Sequence, residues 1–209
     1  MKKLTIVLLA ALCVVALAPR DLSAGVGIKG GYSLAKFSLT GEMDAEVWKY
    51  LPSFVAGGYL ELKLGFVSIQ PEVLYTRMGA KIEDVIEEVP FSLQYRFDYV
   101  QVPVLLKFNI VPAGPIRPFL YGGGYGAYLI KAQGFMEVGT ESDTADIIED
   151  YQRYDYGVVG GGGLAFKLPG ISLSVEGRYN YGLANIFKNP IEGEAMKNRS
   201  IMVLIGVGF

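Results

Sequence analysis

A chain of 209 residues with 19 Lys plus Arg, 21 Asp plus Glu and a formal net charge of −2 has length for one domain and too little positive charge to favour a nucleic-acid partner. A single cysteine and no histidine exclude zinc sites of the usual kind, structural disulfides and nucleophile chemistry built on Cys or His. Hydrophobic residues make up 51% of the chain and the mean hydropathy is +0.33, yet beyond residue 18 no apolar run has the length of a membrane-spanning helix, so the apolar content is dispersed.

Residues 1–24 read as a secretory signal peptide. Lys2 and Lys3 precede an apolar run over 4–18, and Pro19, Arg20, Asp21 and small residues lead to a cut after Ala24. The run falls short of the about 20 residues that a retained anchor needs. Cys13 lies inside it behind Leu12, where a lipoprotein signal would want a small residue, so the remaining domain, 25–209, is expected to carry neither cysteine nor lipid.

A period of two then recurs along the chain, which is the signature of strands with one apolar face. Residues 24–39 set Val26, Ile28, Tyr32 and Leu34 against Gly27, Lys29, Gly31 and Ser33. A polar excursion over 40–50 carries Glu42, Asp44, Glu46 and the only tryptophan, Trp48. The second strand, 53–64, alternates Phe54, Ala56, Leu60 and Leu62 with Val55, Tyr59, Glu61 and Lys63. The third, 66–78, alternates Val67, Ile69, Val73 and Tyr75 with Ser68, Gln70, Glu72 and Thr76. After an acidic stretch over 79–95 comes the clearest element, 99–108: Val100, Val102, Val104, Leu106 and Phe108 share one face, and Tyr99, Gln101, Pro103, Leu105 and Lys107 the other. The fifth strand, 117–131, is blurred by Gly122, Gly123, Gly124 and Gly126, which suggest a curved wall or a large neighbour lying over them. The longest excursion, 132–154, contains Asp143, Asp146, Glu149 and Asp150. The sixth strand spans 155–167. The seventh, 171–183, sets Leu173, Val175 and Tyr179 against Ser174, Glu176, Arg178 and Asn180, and the eighth runs from 199 to Phe209.

Short connections alternate with long ones, and about ten residues suffice for a tilted strand to cross a bilayer. The pattern therefore predicts an all-β protein, an eight-stranded antiparallel up-and-down transmembrane β-barrel with short turns on the periplasmic side. Lys29, Glu61, Lys63, Gln70, Glu72, Gln101, Lys107, Glu176, Arg178 and Asn180 then form a polar network inside the barrel that fills and fixes it, because a lone buried charge is costly. Lining of a narrow conduit is the functional alternative. No spacing places a substrate between Glu61 and Glu72, and without histidine the usual hydrolase triad cannot be assembled, so no enzyme activity, metal or cofactor is expected. Tyr75, Tyr179, Tyr181, Phe54 and Trp48 read as an interfacial aromatic belt. The loop carboxylates Asp143, Asp146, Glu149 and Asp150 read as a solvated surface cluster, able beside lipopolysaccharide to hold divalent cations.

The segments at 27–37, 68–79, 99–108, 117–130 and 171–186, with a final alternating strand that ends in Phe209, resemble the outer-membrane beta-barrel domain family common in Bacteroidetes and their relatives, which includes the PorT-like proteins. A broader likeness is to the small OmpA- and OmpX-type barrels. The resemblance implies a bacterial outer-membrane location after export across the inner membrane, periplasmic termini, Phe209 as an assembly signal, and contact with outer-membrane lipid, lipopolysaccharide and the barrel-assembly machinery. It carries no catalytic motif. A non-enzymatic structural or surface-interaction role, with a protein partner at the extracellular loops, is the expected function. A PorT-like accessory role in protein secretion and a narrow solute channel are the alternatives.

Overall fold

The computed structural model describes residues 23–40, 48–86, 89–111, 113–189 and 194–209. The expected signal peptide up to residue 22, Cys13 within it, and Glu42, Asp44, Glu46, Glu87 and Glu88 lie outside the described residues. Nine strands account for most of the rest. They are β1 (Ser23–Thr40), β2 (Lys49–Leu64), β3 (Val67–Ile86), β4 (Val89–Asn109), β5 (Ile116–Val138), β6 (Glu141–Asp146), β7 (Tyr154–Leu168), β8 (Ile171–Gly182) and β9 (Ala195–Gly208). One short 3-10 turn spans Ile148–Asp150.

All pairings are antiparallel, and the first and last strands join, with a ladder from Gly27↔Gly208 to Thr40↔Ala195. The ring passes through β1, β2, β3, β4, β5, β7, β8 and β9, and the β4–β5 ladder completes it. This corrects the expected eight-stranded up-and-down barrel. The sheet has nine strands, and β6 stands outside the ring, paired only with the upper part of β5 from Gln133↔Asp146 to Val138↔Glu141. The physical reason is visible in ESDTAD, whose six residues are all exposed. A strand with both faces in water has no alternation to reveal it, and its pairing rests on backbone hydrogen bonds alone.

The stretch 79–95 is corrected in the same way. It is a hairpin, β3 continuing to Ile86 and β4 starting at Val89. β4 and β5, of 21 and 23 residues, are about twice the length that crosses a bilayer. Their surplus, with the ends of β3 and β6, forms a sheet that projects beyond the ring on the side of the long connections. Loop length on that side is thus largely strand length.

Within the ring the outward face is apolar: Ile28 is 63% exposed, Val203 56% and Val104 51%. A soluble domain would hide such a continuous belt, and a bilayer covers it. The inward face carries Lys29, Ser33, Gln70, Glu72, Gln101, Glu176, Arg178 and Asn180, all buried. Turns at the opposite rim are tight: Gly65 and Gly170 adopt φ of 68° and 81°, a left-handed backbone that suits glycine.

Two irregularities set where side chains point. The β4–β5 register shifts at Asp98 and Tyr99, which face Lys131 and Leu129, so one extra β5 residue is accommodated. Below that bulge Tyr121, Tyr125, Ala127 and Leu129 are buried, and above it Ala132 is. The glycine-rich strands admit large neighbours. A Cβ at Gly157 would lie 2.8 Å from the Tyr125 ring, and one at Gly161 would lie 2.6 Å from the Tyr121 hydroxyl. Tyr59 likewise covers Gly27.

Gly161→Val should therefore abolish most recovery of folded protein, since the added side chain meets both the Tyr121 ring and the Gly177 carbonyl. Gly122→Ala, whose Cβ finds its nearest neighbour at 3.9 Å, should fold normally. Heat-modifiable gel migration of detergent-purified protein measures both.

Candidate functional site

The interior is layered along the ring axis. At its heart four charges from three strands meet in a neutral quartet. Lys29 Nζ of β1 lies 2.7 Å from Glu72 Oε1 of β3 and 2.9 Å from Glu176 Oε1 of β8. Arg178 of β8 grips Glu72 with Nη1 on Oε2 at 2.7 Å and Nη2 on Oε1 at 3.0 Å, and donates from Nη2 to Glu176 at 2.9 Å. Its Nε donates to the Tyr121 hydroxyl at 3.1 Å. The planar guanidinium matches the carboxylate fork in a way that a lysine could not. Gln70 adds a donor to Glu72 Oε1 at 2.7 Å. Both oxygens of Glu72 thus accept charged or amide donors, three on Oε1 and one on Oε2, which holds the carboxylate ionised and fixed in place.

Toward the short-turn rim Lys107 binds Glu61 at 3.0 Å, Lys63 approaches the same carboxylate at 3.5 Å, and Lys107 donates to Gln70 Oε1 at 3.4 Å. Toward the other rim Asn180 donates to Gln101 at 3.4 Å, and Asn198 bridges Asp155 Oδ2 at 2.9 Å and the Tyr99 hydroxyl at 3.2 Å. Several buried polar atoms in this layer, among them Asp155 Oδ1, Asn180 Oδ1 and the Tyr125 hydroxyl, have no protein partner. Sites of this polarity are where buried water is held.

An aromatic layer closes the interior above them. Phe37 meets Trp48 and Phe97 at centroid distances of 5.5 and 5.6 Å, Trp48 meets Tyr95 at 5.4 Å, and Tyr151 joins Phe97 at 4.6 Å and Phe187 at 5.9 Å. Burial, with Tyr95 and Asp150 nearby, pushes the Tyr151 hydroxyl up from its ordinary range. Trp48 is therefore a plug residue and not part of an interfacial belt. Tyr75, by contrast, stacks on Phe54 at 5.5 Å beside an Arg77–Asp98 pair on the outer face, Arg77 Nε lying 2.6 Å from Asp98 Oδ1.

The acidic loop residues lie apart from this interior. Asp143 and Asp146 sit on β6, and Glu149 and Asp150 in the 3-10 turn. Asp143 Oδ1 accepts the Thr144 amide at 2.7 Å, and Asp146 Oδ1 the Ile148 amide at 3.0 Å, so each of these two carboxylates is engaged by a neighbouring backbone amide. Phe209 is 66% exposed, and its amide donates to the Val26 carbonyl at 2.8 Å. On the projecting sheet the Lys81 ammonium, 2.6 Å away, holds the exposed Glu83 carboxyl below the usual carboxylate range.

Residues 18–188 match the family model described as "Outer membrane protein beta-barrel domain". The chain belongs to the outer membrane protein beta-barrel domain family. Membership places it in the outer membrane, reached by export across the inner membrane, with the need for outer-membrane lipid and assembly machinery general to this class. Among solved structures, OprG of Pseudomonas aeruginosa aligns over 90% of this chain and 97% of its own at 10% identity, with a TM-score of 0.52. Neisserial surface protein A aligns over 89% and 97% at 16% identity and a TM-score of 0.47, and the protease OmpT of Escherichia coli over 90% and 96% at 11% and 0.48. These likenesses concern the fold. No curated protein sequence matches the chain.

Sequence reasoning placed Tyr59 on the inward face of the second strand without counting it in the polar network, and it missed Tyr121, Asp155 and Asn198 as interior residues and the plug of Phe37, Phe97, Tyr151 and Phe187. Parity assigns Tyr121 once the glycine-blurred fifth strand is placed. Phe37 and Phe97 come from the ends of β1 and β4 beyond the charged layers, whereas Tyr151 and Phe187 come from connections, which have no parity.

Glu72→Gln leaves Lys29 and Arg178 sharing Glu176 alone and should cost about 3–5 kcal/mol, the range for stranding one partner of a buried pair. Adding Lys29→Met removes the surplus cation and should restore part of the loss. Urea unfolding from lipid vesicles, followed by fluorescence of the sole tryptophan, Trp48, compares the two.

Proposed function

We propose that this protein is a non-enzymatic component of the outer membrane that keeps its interior shut and presents the projecting sheet of β3, β4, β5 and β6 as a contact surface, with lipopolysaccharide and a protein partner as its outer neighbours. The observation that carries this reading is the double closure of the interior. The ion quartet spans β1, β3 and β8 at one level, and the aromatic layer seals a second level above it. A narrow conduit would have to pass both. The same occupation of Glu72 that blocks passage also argues against acid/base chemistry there. With its interior closed, the molecule has its walls and its projecting sheet left to act with. The sheet offers an unpaired β6 edge rich in carboxylates.

The reading is tested with purified protein and with a deletion strain. In planar lipid the folded protein should show no discrete conductance steps, and regular steps would overturn the closed interior. Cells without the gene should take up more of a hydrophobic dye while exporting cargo normally. A chain in which residues 139–150 are replaced by a short Gly-Ser link should insert and migrate normally yet fail to restore the barrier. Full restoration would remove the sheet from the function, and failed export would favour the secretion alternative.

A further inference from the structure

The neutral quartet has a counterpart that is not neutral. At the short-turn mouth of the ring, four basic side chains converge from four strands: Lys63 of β2, Lys107 of β4, Arg117 of β5 and Lys167 of β7. One side-chain carboxylate, Glu61, opposes them and is already held by Lys107 at 3.0 Å and Lys63 at 3.5 Å, and the main-chain carboxylate of Phe209 lies on the same lining, so the basic groups outnumber the acidic ones by four to two. Lys107 also rests over the Phe119 ring at 4.2 Å, which fixes its ammonium at the base of the cup. Arg117 spends its Nε on the Gly114 carbonyl at 3.0 Å, while the Lys167 amide donates to the Pro115 carbonyl at 2.8 Å and its ammonium makes no hydrogen bond or ion pair among the described residues. The facing wall is small and polar, with Gly25, Ser172, Ser174 and Gly208, and leaves a cavity of about 70 Å³, which has space for several water-sized groups.

We infer that this mouth is an anion-binding site for a compact, multiply charged oxyanion, a phosphoryl or carboxylate group carried by a soluble periplasmic ligand. Like charges gathered into one concave site with low-dielectric walls raise the local concentration of counter-ions. Fixed guanidinium and ammonium donors beside serine hydroxyls are the chemistry that recognises such a group. The short-turn rim faces the periplasm, so the ligand reaches it from that compartment. The two upper closures keep the site a cup with one entrance.

The experiment uses detergent-purified full-length domain at low ionic strength and isothermal titration with inorganic pyrophosphate, with citrate as the carboxylate counterpart. One saturable site per chain is expected, and whichever probe binds more tightly names the group. Arg117→Gln with Lys167→Gln should weaken binding at least tenfold without changing heat-modifiable migration. Ser172→Leu, which fills the cup and leaves its charge intact, should weaken it as well. Lys81→Gln with Lys131→Gln, an equal loss of charge at the opposite end, should leave it unchanged. Absence of saturable heat with both probes at millimolar concentration overturns the site. So does equal weakening in the Lys81/Lys131 variant, which would reduce the effect to net charge. The conductance and dye measurements stand apart from these titrations, so a failed titration leaves the closed interior and the projecting sheet to their own tests.

Discussion

A strand in hydrocarbon has no water to satisfy its backbone, so every amide and carbonyl must find another strand. That constraint explains why the two ladders that close the ring matter more than any single side chain. β1 meets β9 over fourteen residue pairs, and β4 meets β5 along most of their lengths. Once the ring is shut, the pleat sends alternate side chains to lipid and to the interior, and sequence has no further choice about which residues share a compartment. Val26, Ile28, Val203 and Ile205 are exposed because a bilayer is their solvent. Lys29, Glu72, Glu176 and Arg178 are buried because the same ring leaves them nowhere else to go.

Buried charge then has to be balanced within a few ångströms. Desolvating four ionised groups costs several kcal/mol for each, and their mutual attraction offsets this when geometry is good and the remaining lone pairs are filled. The quartet meets the first condition well and the second in part: the Arg178 fork engages both Glu72 oxygens, Gln70 adds a donor to Glu72, and Tyr121 accepts from the Arg178 Nε. Apolar residues of the same volume would fill the space as well, but they would leave the registers of β1, β3 and β8 in their own ladders less specified. A one-residue slip of any of these strands would carry a charge to the lipid side. The network thus acts on uniqueness of the wall at least as much as on its stability.

What could be read from sequence follows from where each residue sits relative to the bilayer. Between apolar lipid and polar interior the contrast is large, so the period of two at 24–39, 66–78, 99–108 and 171–183 is legible, and with it the face on which Lys29, Glu72, Glu176 and Arg178 lie. Beyond the membrane both faces are wet. There the alternation fades, which is why Lys81–Ile86, Gln133–Val138 and all of β6 read as loop, and why an eight-strand count missed the ninth. The β5 bulge changes parity at Ile130, and a bulge has no signature in an alternating pattern. Glycine runs hid the sixth strand's inward face, and with it Lys167. Trp48 was misplaced because tryptophan suits an interface and a plug equally, and the contact with Phe37 that decides between them is remote in sequence.

The two ends of the ring differ in charge, and the difference bears on how each can be used. An exposed strand edge invites another strand, and proteins that retain one commonly guard it with charge. β6 is guarded in that way: Glu141, Asp143 and Asp146 lie along it, with Glu149 and Asp150 following. Two copies approaching edge to edge would bring like carboxylates together, so self-association along β6 is disfavoured, whereas an extended partner bearing lysine or arginine meets no such barrier. At the other end the surplus is positive and sits inside a cup, where a partner strand cannot enter and a small anion can. One end therefore presents an acidic strand edge and the other a basic cup. The quartet, neutral and tying β1, β3 and β8 together, stands inside the ring between the two ends and their opposite surpluses of charge.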